Sequence, residues 1–352
     1  MSTVLLIHQD KIQHYRIPIY NYLSEYLRNY DYSLTVVSGG VEPGNPHPIQ
    51  FDFIDRRLTF MNIAKTIREN RPKAILFFVN LRNLYLFPLF LYTRLLKIKI
   101  IYWGHAINLE KKSSLLNLAY RIEHSFADSI VLYADYLKKY VHSKHHRKVF
   151  VANNTVNTTI YDKIIFDKEK VLANYGIKTS KNIICMGRFQ KRKRIGDLLQ
   201  AFKILDLKDV GLILAGPDTE NILNNVHGDN IYIVGPVYGE DAISLLGACD
   251  LYCLPGHVGL SIVDAFYCGL PMITEDVDHA PEICYLKNGI NGFIVPKGDI
   301  RALMSKIKLL LTDDTLRKSF SEAARNEVQT NAHVKTMCRG FQQALSYAFK
   351  SE

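Results

Sequence analysis

The sequence predicts an α/β protein built from two Rossmann-like, parallel-sheet domains, and three observations carry that expectation. Short apolar runs alternate with amphipathic segments along nearly the whole chain, which is the pattern of βαβ units. The alternation falls into two arrays separated by a polar stretch over 153–181. The length, 352 residues, is more than one hydrophobic core usually spans and suits two such domains.

In the first array a strand at 3–8 is followed by a helix at 18–30 and a strand at 33–38 that ends in Gly39-Gly40. The stretch 41–48 (VEPGNPHP) reads as a loop, 59–70 as a helix and 74–79 as a strand. The helix at 83–96 contains Pro88, which predicts a kink or a late start. A strand at 98–103, a helix at 113–126, a strand at 129–133, a helix at 134–142 and a strand at 148–151 complete the array. The second array has strands at 182–186, 210–215, 231–234, 251–254, 271–274 and 292–295, with helices at 195–203, 241–248 and 261–268 between them. Ser261 is expected to cap the last of these helices and Gly269-Leu270-Pro271 to stop it. Helices at 299–311, 314–326 and 334–349 follow. The expected domains are 1–160 and 161–330, with a C-terminal helix in 331–352 free to pack back towards the first domain.

Composition narrows the class. With 48% hydrophobic and 22% charged residues the chain is a folded globular protein. No window approaches the ~20 apolar residues of a spanning helix, and the start, MSTVLLIHQDKIQHY, does not read as a signal peptide. Six cysteines lie mostly inside apolar runs without zinc-site spacing, so free thiols in a reducing cytoplasm are expected. A net charge of +10 admits a nucleic acid, an anionic membrane face or a phosphorylated ligand.

In open parallel sheets ligands sit beyond the carboxyl ends of the strands. Four loops there carry suitable chemistry. The first is QDKIQHYR with Lys11, His14 and Arg16, and the second is Gly104-His105. The third is GRFQKRKR, from Gly187 to Arg194, with Arg188 and Lys193 five apart. The fourth opens LYCLPGHVGLSIVDAF, where a strand, a glycine-bearing turn and a helix start follow one another as in phosphate sites. Each has a plainer reading: Lys191–Arg194 as a solvated basic turn, His105 as a core histidine, Asp264 as a surface carboxylate, Glu282 as a helix cap. The aromatic and basic run 83–99 is more readily a core helix than a bilayer contact. HSKHHRK, over 142–148, reads as a basic loop, since no carboxylate accompanies its histidines.

Together these segments resemble a known family. GRFQKRKRIGDLLQAF is similar to the GR-x4-KG-x3-LI-x-A segment of glycosyltransferase family 4, the retaining GT-B enzymes. GHVGLSIVDAFYCGLPMIT resembles that family's EGFGL-x3-EA-x3-G-x-PVI segment, here in a PGxVGL form read as a subgroup. NIYIVGPVYGEDAISLLGACDLYCLP and VANNTVNTTIY resemble the flanking signatures. The resemblance is close over the C-terminal domain and weaker over the N-terminal one.

That resemblance implies a GT-B fold with a cleft between the domains. It implies that Arg188 and Lys193 bind the donor diphosphate and stabilise its charge in the transition state. Gly187, Gly256, His257, Val258, Gly259 and Leu260 would contribute to the donor site, with backbone donors at Gly259 and Leu260. Gly235, Pro236 and Val237 would line the base, and Asp264 would hold the ribose hydroxyls. His105 would face the donor sugar from the N-terminal domain, while Lys11, His14 and Arg16 would contact the acceptor. No metal and no cofactor are implied, the nucleotide-sugar being a co-substrate. Two departures stand out: the family's first glutamate falls on Gly256, and its second on the shorter Asp264.

The expected function is metal-independent, retaining transfer of a sugar from a UDP-sugar to a glycan or lipid-linked glycan in cell-surface polysaccharide synthesis. The expected location is the cytoplasm, including peripheral contact with the inner membrane face. Three alternatives stand beside it. A Rossmann oxidoreductase lacks its GxGxxG here. A basic nucleic-acid-binding protein needs stacked aromatics on a basic sheet face, and no nucleic-acid partner is expected. A non-catalytic GT-B partner subunit accounts for the glycine at 256.

Overall fold

The structure is a computed structural model that describes residues 1–8, 10–78, 86–109 and 117–350. Gln9 of the first loop, the expected strand end Val79 and the expected helix starts at 83–85 and 113–116 lie outside the described residues. The chain divides into two compact units: Met1–Asn157 with His333–Glu352, and Thr158–Ala332.

The first unit contains β1 (Ser2–Ile7), α1 (Arg16–Arg28), β2 (Tyr32–Ser38), β3 (Asp52–Asp55), α2 (Phe60–Asn70), β4 (Ala74–Phe78), α3 (Leu86–Leu95), β5 (Lys99–Gly104), α4 (Asn117–Phe126), β6 (Ser129–Leu132) and β7 (Val149–Val151). Its strands lie in the order β3-β2-β1-β4-β5-β6-β7, all parallel. A strand paired on both sides and covered on both faces has no solvated position, so it reads as a continuous apolar run; Val4–Ile7 of β1 is buried throughout. The strand order reverses between β1 and β4.

The second unit contains α5 (Lys168–Asn174), β8 (Lys181–Met186), α6 (Ile195–Lys203), β9 (Val210–Ala215), β10 (Ile231–Gly235), α7 (Gly239–Gly247), β11 (Leu251–Cys253), α8 (Ser261–Tyr267), β12 (Met272–Glu275), β13 (Gly292–Val295), α9 (Ile300–Thr312) and α10 (Asp314–Thr330). Its sheet, again parallel, runs β10-β9-β8-β11-β12-β13 and reverses between β8 and β11. The final helix, α11 (Val334–Lys350), belongs to the first unit. Its apolar face, including Met337, Phe341, Ala344 and Ala348 at helical spacing, is buried. Phe341 meets Trp103 of β5 edge to face at 5.0 Å. A Cβ at Gly340 would stand 2.1 Å from the Val151 carbonyl oxygen, so only glycine lets the helix backbone lie this close to β7.

Several expectations need correction. The polar stretch 153–181 is not merely a linker: it holds a 3-10 turn at Thr158–Tyr161 and α5, which Asp167 caps by accepting from the Glu169 and Lys170 amides. β3 is an additional edge strand. The helix expected at 134–142 is a 3-10 turn, Asp135–Tyr140, that buries only Leu137. Ser261 does not cap α8; Leu260 occupies the cap with no side-chain bond, and Ser261 is the first helical residue. The three histidines of 142–148 sit around a second 3-10 turn, Ser143–Lys148, and among the described residues no His/Cys/Asp/Glu group is arranged to hold a metal ion. Among the described residues no helix is long and apolar enough to cross a membrane.

Candidate functional site

Reversal of strand order opens a crevice at the carboxyl edge of a parallel sheet, because the connections on its two sides run to opposite faces. In the second unit that point lies between β8 and β11, the strands whose following loops carry the basic and the glycine-bearing motifs. Three glycines gather the neighbouring strand ends into one rim. Gly187 (φ +135°) donates its N–H to the Ala215 carbonyl at 2.9 Å, and Gly216 donates to Gly235 at 2.7 Å. A Cβ on Gly216 would come within 2.0 Å of the Gly187 oxygen. Beyond this rim Phe189 is buried and bonds Pro217 through its amide. Arg188, one residue earlier, is exposed. Gly235 (φ +78°) leads into Pro236 and Val237 on the same rim.

Lys193 is a half-buried cation of the site. It ends a 3-10 turn, Lys191–Lys193, immediately before α6. Its Nζ donates to the His257 carbonyl at 2.5 Å. Burial, the dominant cause, pulls its pKa down to about 8, opposed by the nearby Cys185 and Glu282 and reinforced by Arg192. Glu282 itself is buried in the 3-10 turn Pro281–Tyr285.

The loop after β11 is clamped to this turn through its backbone. Gly256 donates to the Lys193 carbonyl at 2.9 Å and His257 to that of Arg192 at 3.0 Å. Val258 donates to His279 Nδ1 at 3.1 Å, and the other ring nitrogen of His279 then carries the proton it gives to the Glu275 carbonyl at 2.8 Å. Ala280 returns a bond to the Val258 carbonyl. The amides of Gly256, His257 and Val258 are therefore used within the protein. Among the described residues those of Gly259 and Leu260 meet no protein acceptor, and they lie at the start of α8.

Gly256 has a further meaning. A Cβ there would lie 2.1 Å from the Arg192 carbonyl oxygen and 2.6 Å from the Lys193 Cα, both backbone atoms that cannot swing aside. In this loop geometry no side chain fits where the resemblance places a glutamate. Gly256→Ala is expected to lower stability by about 1–3 kcal/mol, the usual penalty of overpacking, read as a fall in Tm; an unchanged Tm would mean the clamp is loose.

Asp264 stands on the first turn of α8, partly buried. Desolvation lifts its pKa to about 7, against the lowering effect of Tyr161, whose hydroxyl donates to Oδ1 at 3.2 Å. Tyr161 in turn packs edge to face on Tyr267 at 5.3 Å. Sequence reasoning missed Tyr161, although it is the aromatic residue ending the quoted VANNTVNTTIY segment; it also missed His279, for which the sequence carries no signal.

In the first unit His105 follows β5 and lies with its ring 4.5 Å from that of Tyr133. Burial, and then the positive charge of Arg16, lower its pKa to about 4, so the imidazole is neutral at pH 7. The three residues expected to meet an acceptor part company here. Lys11 and His14 are exposed, and His14 Nδ1 stands 3.6 Å from Glu42. Between them Ile12 is buried and bonded to Gly40 and Glu42 through its backbone. Arg16 is buried, because the first turn of α1 faces the sheet.

Comparison with known proteins bears on this geometry. The sequence profile of the family described as glycosyl transferases group 1 matches residues 167–327. The capsular polysaccharide biosynthesis glycosyltransferase CapM of Staphylococcus aureus is 28% identical over 201 residues, covering 53% of this chain and 52% of that protein. The N-acetyl-alpha-D-glucosaminyl L-malate synthase of Bacillus anthracis is 29% identical over 196 residues, covering 53% and 50%. The matches thus span about half the length of these relatives. Among solved structures, Anabaena HepE in complex with UDP-glucose superposes with a TM-score of 0.77 at 16% identity, over 98% of this chain and all of that one. The two Rossmann-like units are those of the GT-B fold. Over residues 167–327, from the cap of α5 into α10, the chain is similar to the glycosyl transferases group 1 family.

Proposed function

We propose that the chain is a retaining, metal-independent glycosyltransferase that moves a sugar from a UDP-sugar to a glycan or lipid-linked glycan in cell-surface polysaccharide synthesis. The observation that carries this reading is the pairing of Arg188 and Lys193 with the open amides of Gly259 and Leu260 at the strand-order reversal of the second unit. As a glycosidic bond to a nucleoside diphosphate breaks, negative charge collects on the leaving phosphate. Fixed cations and amides aimed at it stabilise the transition state more than the ground state. Asp264 accepts from the ribose hydroxyls, with Tyr161 holding its carboxylate. His105, neutral, hydrogen-bonds the sugar. The likeness to a capsular polysaccharide enzyme supports the acceptor class, and the UDP-glucose bound by HepE supports the donor class. Exposed Leu91 and Leu95 of α3 and Leu118 and Ile122 of α4, on a chain of net charge +10, support contact with an anionic membrane face.

A thermal-shift panel of nucleoside diphosphates with EDTA present tests the donor half. A specific binder of the folded state raises Tm, and UDP is expected to do so most. If none of the diphosphates shifts Tm, the donor assignment is wrong; if UDP acts only with Mg²⁺ or Mn²⁺ restored, the metal-independent mechanism is. Asp264→Ala is expected to weaken UDP binding roughly 10-fold or more, the scale of losing a charged hydrogen-bond acceptor. Normal UDP affinity with failed transfer would move Asp264 from the ribose to the sugar.

A further inference from the structure

Among the described residues of the first unit, one buried cation has no ion-pair partner. Arg16 is 3% exposed. Its guanidinium carbon lies 5.4, 5.4, 5.1 and 5.8 Å from the ring centres of Tyr15, Phe78, Trp103 and Tyr133. Nη2 donates to the Tyr133 hydroxyl at 3.2 Å. Nε and Nη1 are buried and meet no partner at hydrogen-bond geometry, the Tyr15 side chain contributing a weaker polar interaction, and no ion pair of Arg16 occurs among the described residues. Aromatic faces offset part of the charge, but a buried guanidinium remains protonated, and buried charges in folded proteins are paired.

Other polar atoms without partners crowd the same cluster. His8 Nε2, Trp103 Nε1 and the Tyr20 hydroxyl are likewise buried without hydrogen-bond partners. The His8 ring lies 5.2 Å from Phe78 and 5.9 Å from Tyr20. Neither neighbouring histidine offers a negative charge. His8 and His105 are both held neutral, first by burial and then by Arg16 itself. The cluster also occupies the ligand-binding edge of its sheet. His8 follows β1, Phe78 ends β4, His105 follows β5 and Tyr133 follows β6, so Arg16 sits where the strand order reverses between β1 and β4. Tyr15, Phe78 and His105 are the partly exposed members and form the wall nearest solvent.

We propose that Arg16 and the donors around it form an oxyanion site, and that the acceptor presents a carboxylate or phosphate group there. The acceptor role rests on the glycosyltransferase reading; the anion site itself does not. An oxyanion supplies the missing counter-charge, accepts from Nε or Nη1, and stays in a water-poor cage where charge-assisted bonds are strong. A neutral sugar leaves the guanidinium unpaired.

The test uses the full chain at fixed ionic strength, with and without saturating UDP to occupy the second unit's phosphate site. Glucuronate and glucose 1-phosphate are the anionic probes, one carboxylate and one phosphate, and methyl glucoside is the neutral control. At least one anionic probe is expected to bind by calorimetry and raise Tm beyond the neutral control, and which one does so identifies the group. Arg16→Gln is expected to weaken that binding roughly 10-fold or more while UDP affinity stays at the wild-type value. Equal behaviour of charged and neutral probes in the wild type overturns the site, and so does anion binding that survives Arg16→Gln. The wild-type comparison needs no variant, so it decides the matter even if Arg16→Gln does not fold. Anion binding at Arg16 in a chain that ignores UDP would keep the site and remove the glycosyltransferase reading.

Discussion

Lys193→Ala is expected to slow sugar transfer by roughly 10²-fold or more, as the loss of a fixed charge at a leaving group does. The loss is double. On the proposed reading the variant removes a cation from the diphosphate, and it also frees the His257 carbonyl, to which Nζ donates at 2.5 Å, so Tm must be measured beside the rate. Arg188→Ala, which removes an exposed side chain, is expected to slow transfer comparably without moving Tm. Wild-type turnover in both variants would end the phosphate assignment. The titration of Lys193 adds a sign. Its pKa stands at about 8 because burial disfavours the ammonium, so the cation is present below that pH and lost above it. UDP affinity is therefore expected to fall as pH rises through about 8, with a proton taken up on binding in that range. Calorimetry in buffers of different ionisation enthalpy reads that proton directly.

His105→Ala is expected to separate binding from chemistry. UDP affinity should remain near wild type, since Arg188, Lys193 and Asp264 all belong to the second unit. Transfer should fall by roughly 10²-fold or more, the usual size of a positioned catalytic group. With its pKa at about 4, His105 is neutral throughout the working range, so the wild-type pH profile above about 5 should carry no limb that disappears in the variant. A stable, fully active variant would leave His105 as a core residue packed on Tyr133.

Legibility in the sequence followed the strength of the local pattern. VGLILA of β9 and IGDLLQAF of α6 mark their elements to the residue, because continuous burial or a clean helical stripe leaves little choice. DFID of β3 is four residues with charged ends, paired only to β2, and carries no period long enough to read. KEKVLAN of α5 buries only Leu172, so its helix rests on the Asp167 cap instead of an apolar face. The site divides the same way. Arg188, Lys193 and Asp264 lie on short motifs with fixed spacing. Tyr161 reaches Asp264 across 103 residues, and the cage of Arg16 is assembled from the ends of separate strands. Gly256 was the instructive case. Set against the family pattern it looks like a deleted carboxylate, whereas the backbone 2.1 Å away makes it a position at which any side chain collides.

The membership of α11 in the first unit has a consequence for the order of synthesis. Residues 158–332 form a continuous unit that leaves the ribosome before the helix beginning at Val334. The N-terminal segment is translated first yet lacks, until residues 334–350 are made, the helix whose Phe341 covers Trp103 and whose Gly340 lies against Val151. The earlier-made unit is thus the later one to be finished. Until then β5, β6 and β7 have an apolar face without its cover, the kind of surface that chaperones hold and that aggregates when they do not.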